Sequence, residues 1–176
     1  MEIIPQSIEG LFIIKPRLFT DSRGSFFESY NRNQFEEKIG IVDFVQDNQS
    51  SSDKHVLRGL HYQNPPFAQA KLVRVIKGAV IDIAVDIRKG SKTYGEYVKV
   101  ELSAENNLQF WIPEGFAHGF ISLEDNTILQ YKCSNFYSTN HDAAIRWNDS
   151  DLNIKWGIEN PKLSEKDKIA PFFKDL

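Results

Sequence analysis

The stretch Val80-Ile81-Asp82-Ile83-Ala84-Val85-Asp86-Ile87 alternates strictly and decides the fold class. Successive side chains of an extended strand point to opposite sides, so the residues at 81, 83, 85 and 87 form one apolar face. Asp82 and Asp86 lie on the other face. Two interpretations are open: that face meets solvent, or it points into a barrel, where each carboxylate needs a partner such as an imidazole.

Short β-prone runs lie on both sides of this strand, at residues 71–76, 97–102, 109–112, 118–123 and 128–133. Turn signals separate them at short intervals, for example Lys77-Gly78 and Pro113-Glu114-Gly115. Many short strands with regular turns are typical of an antiparallel sandwich or barrel, and the lack of strand–helix alternation argues against a parallel sheet. The sequence therefore predicts an all-β fold.

Only two short segments are predicted to be helical. Asn31 or Asn33 can cap a helix that includes Phe35, and residues 163–168 predict a helical turn capped by Ser164. The chain has 176 residues without an evident repeat or linker, so we expect residues 1–176 to form one domain with a few peripheral helices.

Composition excludes several functional classes. The formal net charge is −3, with basic and acidic residues interspersed, which argues against a nucleic-acid partner, and no run is long and apolar enough to span a bilayer. Cys133 is the only cysteine, and the N-terminus lacks the basic start and apolar run of a signal peptide, so a cytoplasmic location is expected. The 13 Phe, 6 Tyr and 3 Trp can line a small-molecule pocket, although sheet cores use the same residues.

Two of the four histidines stand out, because each lies among glycines and aromatic residues. His61 lies in Leu57-Arg58-Gly59-Leu60-His61-Tyr62-Gln63, and His118 lies in Gly115-Phe116-Ala117-His118-Gly119-Phe120. Either histidine can be a structural strand residue or part of a site that a ligand approaches closely. Arg58 and His61 are three residues apart, so in a regular strand their side chains would point to opposite faces. They can share a pocket only if the strand bulges or turns near Gly59.

The residues that follow His61 argue against a metal. A second histidine at position 63 would suggest a ligand pair on one strand face, but Gln63 occupies that position and the next candidate is the cation Lys71. Such a site favours acid–base chemistry. Lys71 and Tyr131 also have simpler interpretations, a solvated strand end and a core tyrosine. Arg58 and Arg74 are either phosphate ligands or surface charges, and no phosphate loop, nucleophile elbow or paired-cysteine zinc site is present.

Nine groups of residues, in this order and spacing, together resemble the dTDP-4-dehydrorhamnose 3,5-epimerase family. They are residues 21–24 with Phe26 and Glu28, 45–48, 57–63, 68–74, 85–88, 102–106, 111–120, 131–132 and 147–149. The resemblance implies a cupin-type jelly roll. Metal-binding cupins take ligands from two motifs; the second, at 113–118, is preserved here, whereas Gln63 and Lys71 alter the first. A cation at a ligand position repels a divalent ion, so neither a metal nor another cofactor is expected.

The resemblance further implies a substrate with a ketone at C4 of a 6-deoxyhexose carried by dTDP, whose C3 and C5 centres are both inverted. A hydrogen next to a carbonyl can be removed if the enolate is stabilised, and return of a proton to the other face inverts the carbon. The catalytic positions implied are His61 as general base, Asp167 as the carboxylate that orients it, Tyr131 as the acid on the other face, Lys71 as the cation beside the oxyanion, and His118 paired to Asp82 near the same sugar.

Substrate-binding positions are implied in the same way. They are Arg23 and Arg58 for the pyrophosphate, Glu28, Gln46, Asp47 and Asn48 for thymidine and phosphate, Phe19 and Phe26 for stacking, and Asp142 and Lys166 for further contacts. Asp142 stands where many relatives carry glutamate, and Phe136 replaces a common tyrosine. Asp167 has an alternative interpretation, as the capping carboxylate of the Ser164 turn.

The resemblance also implies a homodimer that exchanges N-terminal strands, and it leaves open whether Phe19 and Glu28 serve their own pocket or the partner's. The function expected is 3,5-epimerisation. The alternatives are a mono-epimerase, a 3,4-ketoisomerase on the same sugar nucleotide, and a jelly roll that binds a sugar nucleotide without catalysis.

Overall fold

The computed structural model describes all residues 1–176, which form antiparallel sheets with few helical residues. The strands are β1 (Glu2–Pro5), β2 (Phe12–Lys15), β3 (Phe19–Asp21), β4 (Gly24–Phe26), β5 (Gln46–Ser52), β6 (Leu57–Gln63), β7 (Lys71–Lys77), β8 (Ala79–Asp86), β9 (Tyr97–Ser103), β10 (Gln109–Ile112), β11 (Phe116–Ser122), β12 (Thr127–Cys133) and β13 (Asp142–Ala144). The helices are α1 (Arg32–Lys38), α2 (Glu165–Lys168) and a final 3-10 turn (Phe173–Asp175). The all-β prediction is confirmed.

Two sheets face each other as in a cupin-type jelly roll. One has the strand order β1-β2-β10-β7-β12-β5 and the other β13-β6-β11-β8-β9, while β3 and β4 form a separate hairpin. The main core joins side chains from both sheets, among them Val75 of β7 and Phe120 of β11. Most neighbouring strands are not consecutive in sequence, so the fold brings distant residues together between the sheets.

Strand β8 is buried on both faces. Val80 and Ala84 pack in the core between the sheets, whereas Ile83 and Val85 pack on the outer face with residues of the C-terminal segment such as Trp156. The solvent interpretation of Asp82 and Asp86 is therefore wrong, and both are fully buried. Alternation of apolar and polar residues along a strand usually indicates that one face of the sheet is exposed to solvent. Here the C-terminal segment covers the outer face of the sheet.

Asp86 closes the turn that follows β8. Its carboxylate accepts hydrogen bonds from Arg88 Nε at 2.9 Å, Ser91 Oγ at 2.6 Å and Thr93 Oγ1 at 2.7 Å. Burial alone would raise the pKa of Asp86, but these donors hold it well below its usual range. The partners of Asp86 are therefore residues of this turn and not a histidine.

Both helical predictions are confirmed. The Asn31 side chain caps α1 by accepting from the Gln34 backbone N–H at 3.2 Å, and Phe35 packs edge-on against Trp111. Ser164 caps α2 by accepting from the Asp167 backbone N–H at 3.1 Å. None of the helices has the length and apolar character needed to cross a membrane.

Strand β6 bulges where the parity argument requires it. In the pairing of β6 with β11, His61 lies opposite His118 and Arg58 lies opposite Phe120. The two positions are three residues apart on β6 but only two residues apart on β11, so β6 contains one extra residue. The extra residue falls between Arg58 and His61, where Gly59 has φ 134°. The predicted irregularity is confirmed, and it turns both side chains towards one cavity.

We expect Gly59→Ala to lower the free energy of unfolding by about 3 kcal/mol or more, as overpacking and backbone strain add. An added Cβ would lie 2.5 Å from Gly119 Cα and 3.0 Å from the His118 carbonyl oxygen. Gly40→Ala is the matched control, because Gly40 has φ 133° with no heavy atom within 4 Å of an added Cβ. Urea denaturation measures both variants, and equal losses would contradict the close-packing argument.

Candidate active site

A cavity of about 540 Å³ lies between the two sheets and has the size of a small-molecule pocket. It brings together eight side chains that were predicted to act on a substrate: Arg58, His61, Lys71, His118, Tyr131, Asp142, Lys166 and Asp167. These residues come from β6, β7, β11, β12, β13 and α2, so only the tertiary fold unites them. We call this space the central cavity.

His61 and Asp167 form a hydrogen-bonding contact, with Nε2 and Oδ1 2.6 Å apart. Asp167 is buried, and Ser164 Oγ donates to its second oxygen at 2.8 Å. Burial alone would raise the pKa of Asp167, but hydrogen bonds from His61 and Ser164 lower it below its ordinary value. Asp167 thus takes part in the cap of α2 and also holds the imidazole of His61, so its two interpretations are compatible.

His118 is buried beside Asp82. This confirms the interpretation in which Asp82 points into the barrel and has an imidazole as its partner. Nε2 of His118 lies 2.9 Å and 3.0 Å from the two Asp82 oxygens. Burial lowers the pKa of His118, and Asp82 offsets only part of this shift. At neutral pH the ring is therefore uncharged and donates its Nε2–H to Asp82.

Lys71 begins β7 inside the barrel, and its interpretation as a solvated strand end is wrong. The residue is 8% exposed, and its Nζ lies 5.8 Å from the centre of the Tyr131 ring. Burial lowers the pKa of Lys71, while Cys133, Asp82 and Asp142 offset part of that shift. The cavity therefore holds a desolvated amine whose N–H groups can act on a ligand.

Tyr131 lies on β12 and lines the same cavity. Burial raises the pKa of its phenol, so the hydroxyl keeps its proton at neutral pH. Its ring centre lies 6.5 Å from that of His118. The cavity thus contains an imidazole held by a carboxylate, a protonated phenol and a buried amine.

Gln63 stands where a metal-binding barrel would carry a ligand, and its amide is fully used within the protein. Nε2 donates to the carbonyl oxygens of Phe67 at 2.7 Å and Phe136 at 3.1 Å, and Oε1 accepts from the Ser138 N–H at 2.6 Å. No three His, Cys, Asp or Glu side chains come together in an arrangement that could hold a metal ion.

Several predicted binding residues surround the central cavity. Arg58 is fixed at its wall by donating to Ser52 Oγ and the Ser51 carbonyl, both at 3.1 Å. Asp142 pairs with Lys166 and also accepts from Tyr137 Oη at 3.1 Å. These contacts place two cations, Arg58 and Lys166, at a pocket predicted to receive a diphosphate.

The run Gln46-Asp47-Asn48 divides between two faces of β5. Gln46 Nε2 donates to Asn48 Oδ1 at 3.0 Å, and Asn48 reaches the Sγ of Cys133 at 3.5 Å on the inner side. Asp47 points the other way and pairs with Lys132 at 3.1 Å. Strand alternation explains the division, so the three residues do not converge on one pocket within a chain.

Besides the β5 run, whose three residues do not line the central cavity, four further predicted binding residues lie outside the central cavity of their own chain. Phe19, Arg23 and Phe26 belong to the exposed β3–β4 hairpin, where the Arg23 side chain is 88% exposed and pairs with Asp21 at 2.6 Å. Glu28 lines a different cavity of about 320 Å³ together with Phe19. Arg74 likewise lies away from the central cavity, donating to Gln130. Within one chain these four residues therefore do not meet the catalytic candidates of the central cavity.

Several cavity residues were not predicted to be functional from the sequence. Tyr137 lies in an irregular segment. Lys162 lines the cavity and forms an isolated β-bridge with Val56. No local pattern marks either residue. Ser164 was identified only as a helix cap, although the same pattern places its hydroxyl beside the carboxylate three residues later.

Comparison with protein families and curated proteins gives a consistent result. The sequence profile described as dTDP-4-dehydrorhamnose 3,5-epimerase matches residues 5–175. A dTDP-4-dehydrorhamnose 3,5-epimerase from Shigella flexneri is 54% identical over 176 residues, covering 99% of this chain and 97% of that protein.

Solved structures extend the comparison to the fold. A dTDP-6-deoxy-D-glucose-3,5-epimerase from Legionella pneumophila, in complex with dTDP-4-keto-L-rhamnose, superposes with a TM-score of 0.95 at 47% identity and covers 98% of this chain and 93% of its own. A 3′-monoepimerase from Streptomyces bikiniensis, in complex with dTDP-quinovose, gives a TM-score of 0.90 at 35% identity, with 96% and 86% covered. The same fold therefore carries double and single epimerisation.

Proposed function

Because this chain belongs to the dTDP-4-dehydrorhamnose 3,5-epimerase family, we propose that its central cavity inverts C3 and C5 of dTDP-4-dehydro-6-deoxy-D-glucose, giving dTDP-4-dehydro-L-rhamnose without a cofactor. The observation that carries the residue roles is the 2.6 Å contact between His61 and Asp167 in the cavity that also holds Tyr131 and Lys71. An epimerisation of this kind needs a base, an acid and a group that stabilises an oxyanion.

His61 is the base. If its Nε2–H donates to Asp167, Nδ1 is the nitrogen free to take a proton from the carbon next to the ketone. Asp167 fixes this tautomer and stabilises the imidazolium that forms, as a carboxylate does in other histidine-based sites. The lowered pKa of Asp167 supports this role, because the group remains a carboxylate at neutral pH.

Removal of the proton places negative charge on the C4 oxygen. Lys71 stabilises that charge, since a buried N–H donor acts more strongly in a low-dielectric cavity than in water. His118, held by Asp82, lies near the same sugar. The enolate electrons return to carbon when Tyr131 gives its proton to the opposite face, and the centre is inverted. Proton exchange with solvent then restores neutral His61 and the Tyr131 phenol before the second carbon reacts.

The nucleotide occupies the side of the cavity marked by Arg58 and Lys166, whose charges suit a diphosphate. Gln46 and Asn48 contribute from β5, and Asp142 orients Lys166. Phe19, Arg23, Phe26 and Glu28 act on the pocket of a partner chain in a homodimer. Their exposure on a hairpin and loop remote from their own central cavity supports this arrangement. A cytoplasmic location belongs to the same proposal.

We expect the wild-type protein to incorporate solvent deuterium at both C3 and C5 of the 4-keto sugar nucleotide. His61→Asn should slow exchange by about 10²–10⁴-fold, because a positioned base is lost. His55→Asn is the matched control, since His55 is exposed at φ 67°, a conformation that asparagine tolerates, and it should retain normal exchange. NMR of the product in deuterated water measures both carbons.

Other outcomes of that experiment identify the alternatives. Exchange at one carbon alone would indicate a mono-epimerase, which the likeness to the Streptomyces bikiniensis enzyme makes a real candidate. A product with its ketone at C3 would indicate a 3,4-ketoisomerase. Tight dTDP binding without any exchange would indicate a binding protein.

Mixed dimers test whether the hairpin acts in trans. Co-expression of Arg23→Ala with His61→Ala chains should restore turnover to about half of the wild-type value per mixed dimer, because one of its pockets then has both residues. His61→Ala mixed with Tyr131→Phe is the control, because both residues line the central cavity of their own chain and no pocket becomes complete. No recovery in the first mixture would contradict the trans arrangement.

A further inference from the structure

The irregular segment Asn135-Phe136-Tyr137-Ser138, between β12 and β13, is held by the side-chain amides of three glutamines. We call Gln46, Gln63 and Gln69 the glutamine clamp. Its four bonds are Gln69 Nε2 to the Asn135 carbonyl at 2.7 Å, Gln63 Nε2 to the Phe136 carbonyl at 3.1 Å, the Tyr137 N–H to Gln46 Oε1 at 3.0 Å, and the Ser138 N–H to Gln63 Oε1 at 2.6 Å. Each of the four residues therefore has one backbone group bound by a glutamine.

Gln63 is the central member of the clamp. It is 7% exposed, and its amide uses both donor hydrogens and its oxygen, the third partner being the Phe67 carbonyl at 2.7 Å. It also lies two residues after His61 on β6 and pairs across the sheet with Asp142 of β13. The clamp thus ties the strand that carries His61 to the segment that carries Tyr137.

Tyr137 connects the clamp to the substrate-binding side of the central cavity. It lines that cavity, and its hydroxyl donates to Asp142 Oδ2, which also pairs with Lys166. Lys166 precedes Asp167 in α2. A shift of the clamped segment would therefore move Tyr137 and disturb the contact that orients Lys166.

We propose that Gln63 is a positioning residue, which fixes Tyr137 and through it the Asp142–Lys166 pair, and that it sets the affinity for the nucleotide sugar and leaves the proton-transfer step unchanged. The position that would supply a metal ligand in a metal-binding barrel serves here to shape the wall of the pocket. The proposal rests on the proposed function for its kinetic consequences.

Gln63→Glu tests the proposal with little change in shape. It replaces the NH₂ group by an oxygen facing two carbonyl oxygens, so the bonds to Phe67 and Phe136 are lost. We expect KM for the sugar nucleotide to rise about tenfold, which is the value of one hydrogen bond, here the contact of Tyr137 with Asp142. The kcat should stay within about threefold of wild type. Gln49→Glu makes the same chemical change at an exposed position of β5 and should alter neither constant.

Two further variants test the route through Tyr137. Tyr137→Phe should also raise KM, and adding it to Gln63→Glu should have little further effect, because both act through one contact. Gln69→Leu removes a single clamp bond and should raise KM about threefold, which tests the clamp even if Gln63→Glu folds poorly. Unchanged KM in a folded Gln63→Glu protein, or fully additive effects with Tyr137→Phe, would overturn the proposal.

A spectroscopic measurement separates this inference from the proposed function. In protein labelled with 3-fluorotyrosine, the ¹⁹F resonance that disappears in Tyr137→Phe belongs to Tyr137. It should shift or broaden in Gln63→Glu and remain in place in Gln49→Glu, whether or not the protein turns over a sugar nucleotide. An unmoved resonance would overturn the clamp, whereas absence of turnover in the wild type would overturn only the proposed function.

Discussion

Burial of ionisable groups between two covered sheets is the constraint on which the rest of the structure depends. A carboxylate in such a space is tolerated only with partners, and the buried aspartates at positions 82, 86 and 167 have them. Asp82 binds His118, Asp167 binds His61 and Asp86 binds the turn after β8. Two of these pairs place an imidazole in a fixed orientation at the wall of the central cavity. In the proposed mechanism the same contacts meet both the need for pairing and the requirements of acid–base catalysis.

Lys71 differs from these groups. Burial lowers the pKa of Lys71, and the surrounding groups offset this only in part, so the cavity holds a poorly solvated amine whose N–H groups can donate to a ligand. In a barrel that holds a divalent ion, the metal would polarise a carbonyl oxygen. Lys71 and Gln63 occupy the positions at which the resemblance to metal-binding cupins would place metal ligands. We therefore interpret the chemistry as proton transfer, with Lys71 at the ketone oxygen and Gln63 in the wall of the pocket.

The sequence was sufficient to predict the fold class, because the alternation of β8 and the closely spaced turns have a local physical cause. A pocket shared by Arg58 and His61 required a bulge or turn near Gly59, and the register between β6 and β11 confirms it. The same alternation left Asp82 and Asp86 undecided, since the C-terminal segment that covers the outer face is distant in sequence. The resemblance named the residues of the site, and the fold brings eight of them into one cavity.

Other features of the site had no local signal. The glutamine clamp binds backbone groups about 70 to 90 residues away from Gln63 and Gln46, and no composition pattern reveals such bonds. The division of Gln46, Asp47 and Asn48 between two faces depends on the phase of β5. In the proposed homodimer the exposed hairpin acts on a partner chain, whose position a single sequence does not describe.

The central claim, that a buried amine stabilises the enolate, is tested most directly by the turnover of Lys71→Met. The account predicts a fall in kcat of about 10²–10³-fold, as for loss of one oxyanion donor, with dTDP affinity within about threefold of wild type. Lys77→Met, at the exposed end of the same strand, should have wild-type kcat. A Lys71→Met enzyme that is folded and turns over within threefold of wild type would contradict the account.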